Sequence, residues 1–326
     1  MSAFYLLGGL VIEARCDGPE VAGHLESRFG SLRTEKPSVT GGPGPDVVIE
    51  IRGPTADRIW PAAPPGGLRT VYDAPGGPIG YSDASDQIFV DYGGRVRLLC
   101  TPARGLIEMA FTGAAPDDPV LAAYPLLTLA LVETMKRFGR FPLHAAGLSL
   151  HGRGVLVPGA SGAGKSTTTV ALVRAGFSFL SDDTVFLTGS EEGIWVAGFP
   201  DEIDVTDTTV AMVPELAYLA GAPIRPGREK HSFRVEDVFG VMPLAGCRPE
   251  FLVAPEVVGG ARSELEELAP SDALVALLPN VLLTEPAASQ AHLDMLARLV
   301  RSVRCLRLRV GSDLDAAAAC VADLVS

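Results

Sequence analysis

Absences narrow this 326-residue chain before any motif does. Cysteine is sparse: Cys16, Cys100, Cys247, Cys305 and Cys320 are scattered, odd in number and form no Cys-x-x-Cys pair. That argues against a disulfide framework or a structural zinc site and leaves buried, reduced thiols as the expectation. No apolar run reaches the ~18 residues that a bilayer span needs. The longest candidate, Val120–Val132, contains Tyr124 and Pro125 and runs into Glu133 and Lys136. The start, MSAFYLLGGLVIEARCDG, lacks a basic stretch and a small-residue cleavage site, so no signal peptide is expected and the cytoplasm is the expected compartment. Positive charge is short, with a net charge of −12. That disfavours nonspecific binding to nucleic acid or to an anionic membrane, and it obliges any phosphate site to gather its cations locally. Only four lysines occur (Lys36, Lys136, Lys165 and Lys230), and two of them, Lys165 and Lys230, are candidates for a phosphate site. The two tryptophans, Trp60 and Trp195, read as packing residues. What is abundant is apolar residue, 47% of the chain, enough for one large or two modest cores.

Along the chain the pattern changes character once. Residues 1–118 read as short strands broken by turns: a strand over Tyr5–Ala14, a helix over Val21–Phe29, a strand over Asp46–Ile51, and a hairpin of Gln87–Tyr92 and Arg95–Thr101 around Gly93-Gly94. Ile107–Phe111 adds a strand, and Pro37–Pro45 and Pro61–Gly67 are Pro/Gly loops. This is a β-rich accessory or substrate-docking domain. Residues 119–326 open with a helix over Pro119–Phe138, in which Leu121, Tyr124, Leu127, Leu131, Met135 and Phe138 recur at helical spacing before Gly139. Strands over Leu143–Leu150 and Gly154–Pro158, a helix over Ser166–Ala175, and strands over Phe177–Leu180, Val185–Leu187 and Ile194–Phe199 follow. The chain closes with a helix over Ala288–Arg301, a strand over Val303–Val310 and a helix over Asp313–Val325 with Ser312 as N-cap. The expected class is α/β.

The segment Gly159-Ala-Ser161-Gly162-Ala163-Gly164-Lys165-Ser166 fits G-x-x-x-x-G-K-[ST]. Glycines let the backbone curl so that several N–H groups converge on a phosphate, and the following helix adds its positive end. Lys165 is expected at the β- and γ-phosphates, Ser166 as a hydroxyl ligand of Mg²⁺, and Thr167 at the α-phosphate. An apolar strand before and a helix after give the motif its proper setting. A nucleoside triphosphate with Mg²⁺ is therefore expected, with ATP the favoured cofactor, although the motif itself does not choose among ATP, GTP and pyrophosphate.

Asp182 and Asp183 follow Phe179-Leu180-Ser181 directly after a strand. In open α/β sheets ligands sit beyond the carboxyl ends of strands, so both acids are expected to face the γ-phosphate. One can hold Mg²⁺ and the other can take a proton from an incoming hydroxyl.

Together, Leu143-His144-Ala145-Ala146-Gly147, Val155–Pro158, GASGAGKST over 159–167 and LSDD over 180–183 resemble the C-terminal domain of HPr kinase/phosphorylase, in the superfamily that includes phosphoenolpyruvate carboxykinase. The resemblance covers residues 142–190. It implies a P-loop-containing mixed sheet with helices, preceded here by the β-rich N-terminal domain. It implies Asp182 as general base, Asp183 as metal partner and His144 near the γ-phosphate or orienting Asp182. HPr kinases also carry a Glu-Ile-Arg-Gly-Leu-Gly segment, and here the corresponding region reads Gly198-Phe-Pro-Asp-Glu-Ile203. HPr as acceptor and phosphorylase activity are therefore not carried over. The chain is more similar to stand-alone HPr-kinase-like proteins, some of which accompany peptide-modifying gene clusters and phosphorylate a serine of a lasso-peptide precursor.

Two further groups stand out. Arg225-Pro-Gly-Arg228-Glu-Lys230-His231 is a basic loop in an acidic chain, and Lys230 is its preferred member for countering charge on the transferring group. Asp201 and Glu202 are candidates for a second metal contact. The expected function is a serine-kinase-like phosphotransferase acting on a peptide, protein or small-molecule hydroxyl, with homo-oligomerisation left open. The alternatives are a small-molecule kinase of the same fold and a nucleotide-binding regulator without phosphoryl transfer.

Overall fold

The first expected strand is two. Gly8 and Gly9 both take positive φ, +55° and +80°, and turn the chain back on itself. β1 (Ser2–Leu7) therefore pairs antiparallel with β2 (Leu10–Cys16). The computed structural model describes residues 1–326 apart from 37–43, 54–60, 75–76, 93, 95, 112–118, 161, 200, 225–228, 259, 261 and 282–285. The protein is mixed α/β and divides into two units: Met1–Arg140 with Leu283–Ser289, and Phe141–Leu282 with Gln290–Ser326.

In the first unit α1 (Pro19–Phe29) is followed by β3 (Arg33–Thr34), β4 (Val47–Arg52), β5 (Arg69–Ala74), β6 (Gly77–Ser82), β7 (Gln87–Tyr92), β8 (Val96–Thr101) and β9 (Leu106–Phe111). They form one nine-stranded sheet in the order β3-β1-β2-β4-β9-β8-β7-β6-β5. Burial alternates residue by residue along β2, β4 and β8, the signature of a sheet wet on one face. α2 (Pro119–Arg137) packs on β7, β8 and β9 with Leu127, Leu131 and Met135 buried. The expectation placed this helix in the catalytic domain from residue 119. Its apolar stripe is spent on the first sheet instead, and the division falls at Arg140.

The second unit begins with β10 (Phe141–Leu143) and β11 (Ala145–Leu150), then β12 (Arg153–Pro158), α3 (Lys165–Arg174), β13 (Ser178–Ser181), β14 (Val185–Ser190), β15 (Gly193–Gly198) and β16 (Ile203–Val205). α4 (Asp207–Met212), β17 (His231–Phe233), α5 (Val235–Phe239), β18 (Gly246–Val257), β19 (Glu264–Glu267) and α6 (Pro270–Leu277) come next. α7 (Pro286–Ser302), which belongs to this unit from Gln290 onward, β20 (Arg304–Val310) and α8 (Leu314–Val325) complete it. The cap of α8 is Asp313, whose carboxylate accepts from the Ala316 N–H, rather than the expected Ser312. The sheet runs β10-β14-β15-β18-β12-β11-β13, with β20 beside β18. One core lies under α3 and α8 and includes Val155, Val157, Val170, Phe179, Val253 and Val321. A second holds Leu143, Leu156, Leu180, Val185, Val196 and Leu296.

Two pairings position the site. β11 is antiparallel to both β12 and β13, so β12 and β13 run the same way and end at one rim, where β11 begins. Ala145 is opposite Pro158, which brings the residue before β11, the end of β12 and the end of β13 together. The β11–β13 register shifts between Gly147, opposite Ser181, and Leu148, opposite Phe179, so that Leu180 is an extra residue, a β-bulge. Among the described residues no helix is long and apolar enough to cross a membrane, which says nothing of β-barrels.

Candidate functional site

Every side chain at this rim is placed by a local reason. Past Pro158 the glycine-rich loop turns into α3, with Gly162 at φ +85° and Gly164 at φ +93°. Gly164 is the N-cap of α3, and a Cβ there would press to 3.0 Å on Val257 as well as strain the backbone. The conformation requires glycine, whereas the exposed Val257 side chain could yield the few tenths of an ångström that the contact asks. The Ala163 N–H donates to the Ala160 carbonyl at 3.0 Å and tightens the loop. Ser161, an expected contact, lies outside the described residues, as do Arg225 and Arg228.

Lys165 opens α3 and is almost wholly buried. Its Nζ donates to the Asp182 main-chain carbonyl at 2.6 Å and lies 3.9 Å from Asp183 Oδ1. Ser166 Oγ donates to Asp182 Oδ2 at 2.7 Å. The two adjacent acids thus differ sharply. Asp182 is 2% exposed, and its Oδ1 is buried with no hydrogen-bond partner. Burial raises its pKa above 3.8, and the Lys165 charge and the Ser166 and Thr169 hydroxyls only partly oppose this, the Thr169 hydroxyl donating to the Lys165 carbonyl at 3.0 Å. The Asp183 side chain is 49% exposed, and its Oδ1 lies 3.0 Å from His144 Nδ1. Its Oδ2 accepts from the Thr184 hydroxyl at 3.2 Å. Burial of its neighbourhood pushes the Asp183 pKa up, but His144, Lys165 and Thr184 outweigh this and hold it at about 2.

His144 stands in the one-residue break between β10 and β11, and its N–H donates to the Asn280 carbonyl at 2.9 Å. The break, which the sequence reading ran through as one strand, frees the imidazole for Asp183. Thr167, expected at the α-phosphate, has its Oγ1 2.8 Å from Thr209 Oγ1. The Phe199 N–H donates to the Thr184 carbonyl, and Asp201 Oδ1 accepts from the Glu202 N–H. Lys230 directly precedes β17, and no described contact links it to Lys165, Asp182 or Asp183.

The arrangement therefore joins Lys165, Ser166, Asp182, Asp183 and His144 and leaves Lys230 apart. Thr184 and Thr209 were missed by sequence reasoning. The signal for Thr209 lay in Thr206-Asp-Thr-Thr, a run whose first threonine caps α4 by accepting from the Thr209 N–H. Among the described residues no three His, Cys, Asp or Glu side chains converge as a metal cluster. Mg²⁺ does not need one, because it commonly takes one or two carboxylates and completes its shell with phosphate oxygens and water.

No family model matches the chain. It is 30% identical over 125 residues to an HPr kinase/phosphorylase of Bacillus mycoides, covering 34% of this chain and 40% of that protein. It is 29% identical over the same length to the HPr kinase/phosphorylase of Bacillus cereus. The chain thus spans 40% of the length of these curated relatives. The HPr(Ser) kinase/phosphatase of Coxiella burnetii aligns over 56% of this chain and 95% of its own, at 13% identity and a TM-score of 0.31. Over about a third of its length (34%), this chain is similar to proteins named HPr kinase/phosphorylase.

Proposed function

We propose that the protein transfers the γ-phosphoryl group of ATP to a hydroxyl, with a serine of a peptide or protein as the favoured acceptor. One observation carries this reading: a buried acid joined to Ser166 and an exposed acid joined to His144 share Lys165 at a single sheet rim. The loop N–H groups and the first turn of α3 form an anion cradle, and Lys165 adds a mobile charge for the β- and γ-phosphates.

The orphaned Asp182 Oδ1 supports a divalent cation. A buried carboxylate oxygen without a donor is costly, and a hard cation held with Ser166 Oγ would satisfy it. When bound, Mg²⁺ would neutralise charge on the phosphate oxygens. This exchanges the expected roles: Asp182 serves the metal, and Asp183 serves the proton. Asp183 is exposed to an incoming hydroxyl and is oriented by His144. Its pKa of about 2 keeps it ionised and ready to accept. Drawing Lys165 onto a phosphate removes one charge that depresses it, and the phosphate's own charge raises it further. In a loose phosphoryl-transfer transition state a modest base is sufficient. The similarity to proteins named HPr kinase/phosphorylase supports phosphoryl transfer as the reaction class.

The test is Asp183→Asn, assayed with labelled ATP against serine peptides encoded beside the gene. Turnover should fall by about 10²–10⁴-fold while ATP·Mg²⁺ binding stays within a few-fold of the parent. Undiminished turnover rejects Asp183 as the base. Label on a sugar or metabolite and on no peptide changes the acceptor class. ATP binding without acceptor-dependent ADP release rejects the transferase reading.

A further inference from the structure

Thr209 has a buried hydroxyl outside the acid pair and its partners. It lies in the first turn of α4, 3% exposed, with Thr167 Oγ1 at 2.8 Å and Thr206 Oγ1 at 3.4 Å. Its own N–H donates to Thr206 Oγ1 at 3.5 Å. Thr167 follows Lys165 and Ser166 in the first turn of α3, so this hydroxyl chain starts at the glycine-rich loop and ends at the exposed cap of α4.

A hydroxyl has one proton and two lone pairs, which leaves two directions for the chain. If Thr167 donates to Thr209, it offers only lone pairs to a ligand, and these repel a phosphate oxygen. If Thr209 donates to Thr167, the Thr167 proton is free for that oxygen, and a hydroxyl that accepts is a stronger donor. Thr206, exposed at the cap, can then donate to Thr209 in turn. The anion's field selects the second direction.

We propose that Thr209 is a positioning residue for nucleotide: its hydroxyl donates to Thr167 and turns the Thr167 proton toward a phosphate oxygen. The proposal rests on the nucleotide-binding reading of the loop. The helices need no polar contact to stay together, because Val210 and Val213 share one core with Val170 and Val173. A threonine-to-valine change keeps shape and removes only the hydroxyl. The phosphate concerned is the α-phosphate, common to ATP and ADP, so affinity for both depends on Thr209 while the reacting end does not.

The experiment measures Kd for ATP and ADP, turnover at saturating ATP, and Tm, for the full chain and for Thr209→Val, Thr209→Ser, Thr167→Val and the double valine variant. Thr209→Val should weaken both nucleotides by about 3- to 10-fold, the loss of one hydrogen bond. Turnover at saturation should change less than about 2-fold, and Thr209→Ser should restore affinity. In the Thr167→Val background the second valine should cost nothing further, a comparison that holds even if Tm falls. Parent-like Kd in Thr209→Val, or additive losses in the double variant, overturns the proposal while leaving the loop's function intact. A parent protein that binds neither nucleotide overturns the site reading itself.

Discussion

The two units treat charge in opposite ways. On the wet face of the first sheet, Arg15 bridges Glu13 and Glu50 at 2.7 and 3.2 Å, and Arg52 bridges Glu50 and Glu108 at 2.7 and 3.8 Å. Each acid there has a cation beside it and water above, and such pairs contribute little to stability. At the rim of the second sheet, Lys165 and Asp182 are taken out of water, Asp182 keeps an oxygen without a donor, and its carboxyl is pushed toward the neutral form. The lesson is where a fold tolerates electrostatic cost. The first unit spreads charge thinly where solvent screens it, and the second concentrates it where a charged ligand can complete it. One pair cuts across this division. Lys136 and Glu133, an i,i+3 pair on α2 at 2.6 Å, are each 1% exposed at the side chain and belong to the first unit.

That pair gives the hardest test of the contrast. Glu133→Ala leaves a buried ammonium without its carboxylate and should cost about 3–5 kcal/mol in urea denaturation. A neutral result would mean that the first unit's interior tolerates charge as its surface does. Asp182→Asn should act in the other direction. It removes a carboxylate whose ionisation opposes folding, so the nucleotide-free protein should melt higher by about 2–4 °C, roughly what 1 kcal/mol does in a domain of this size. The Mg²⁺-dependent gain in ATP affinity should be lost at the same time. The pH dependence follows from the sign of the shift. With the folded pKa above 3.8, the parent gains stability as pH falls through that raised value, and Asp182→Asn lacks this gain. A lower Tm in Asp182→Asn would mean that the buried Asp182 carboxylate stabilises the fold rather than opposing it. Least of all should follow from Arg15→Ala, within about 0.5 kcal/mol of the parent by the same denaturation assay.

What could be read in the sequence was what is local. The hairpin of β7 and β8, the strand before the loop and the helix after it depend on alternation and on glycines a few residues apart, and they stand where expected. The long strand β18 was not legible. It lies between β12, β15 and β20, yet it carries Pro249 and Pro255, residues that argue against a central strand. Pro249 sits where the β12–β18 register slips between Gly154 and Val155, so the ladder there has already been interrupted. The ownership of α2 was equally hidden, since its apolar stripe does not state which sheet it will cover. At the site, the presence of two acids was plain, but their division of surroundings was not. That depends on pairing across strands, on the Ser166 hydroxyl reaching Asp182 and on the strand break at His144.

The bulge at Leu180 decides more than its size suggests. Along an extended strand neighbouring side chains alternate between faces, so one added residue reverses the parity of all that follow. Phe179 enters the core under α3 and Leu180 the opposite one, and the strand ends one residue later, at the bend that holds Asp182 and Asp183. Two chemically identical carboxylates become a sequestered one held by Ser166 and a solvent-facing one held by His144, with no change in composition.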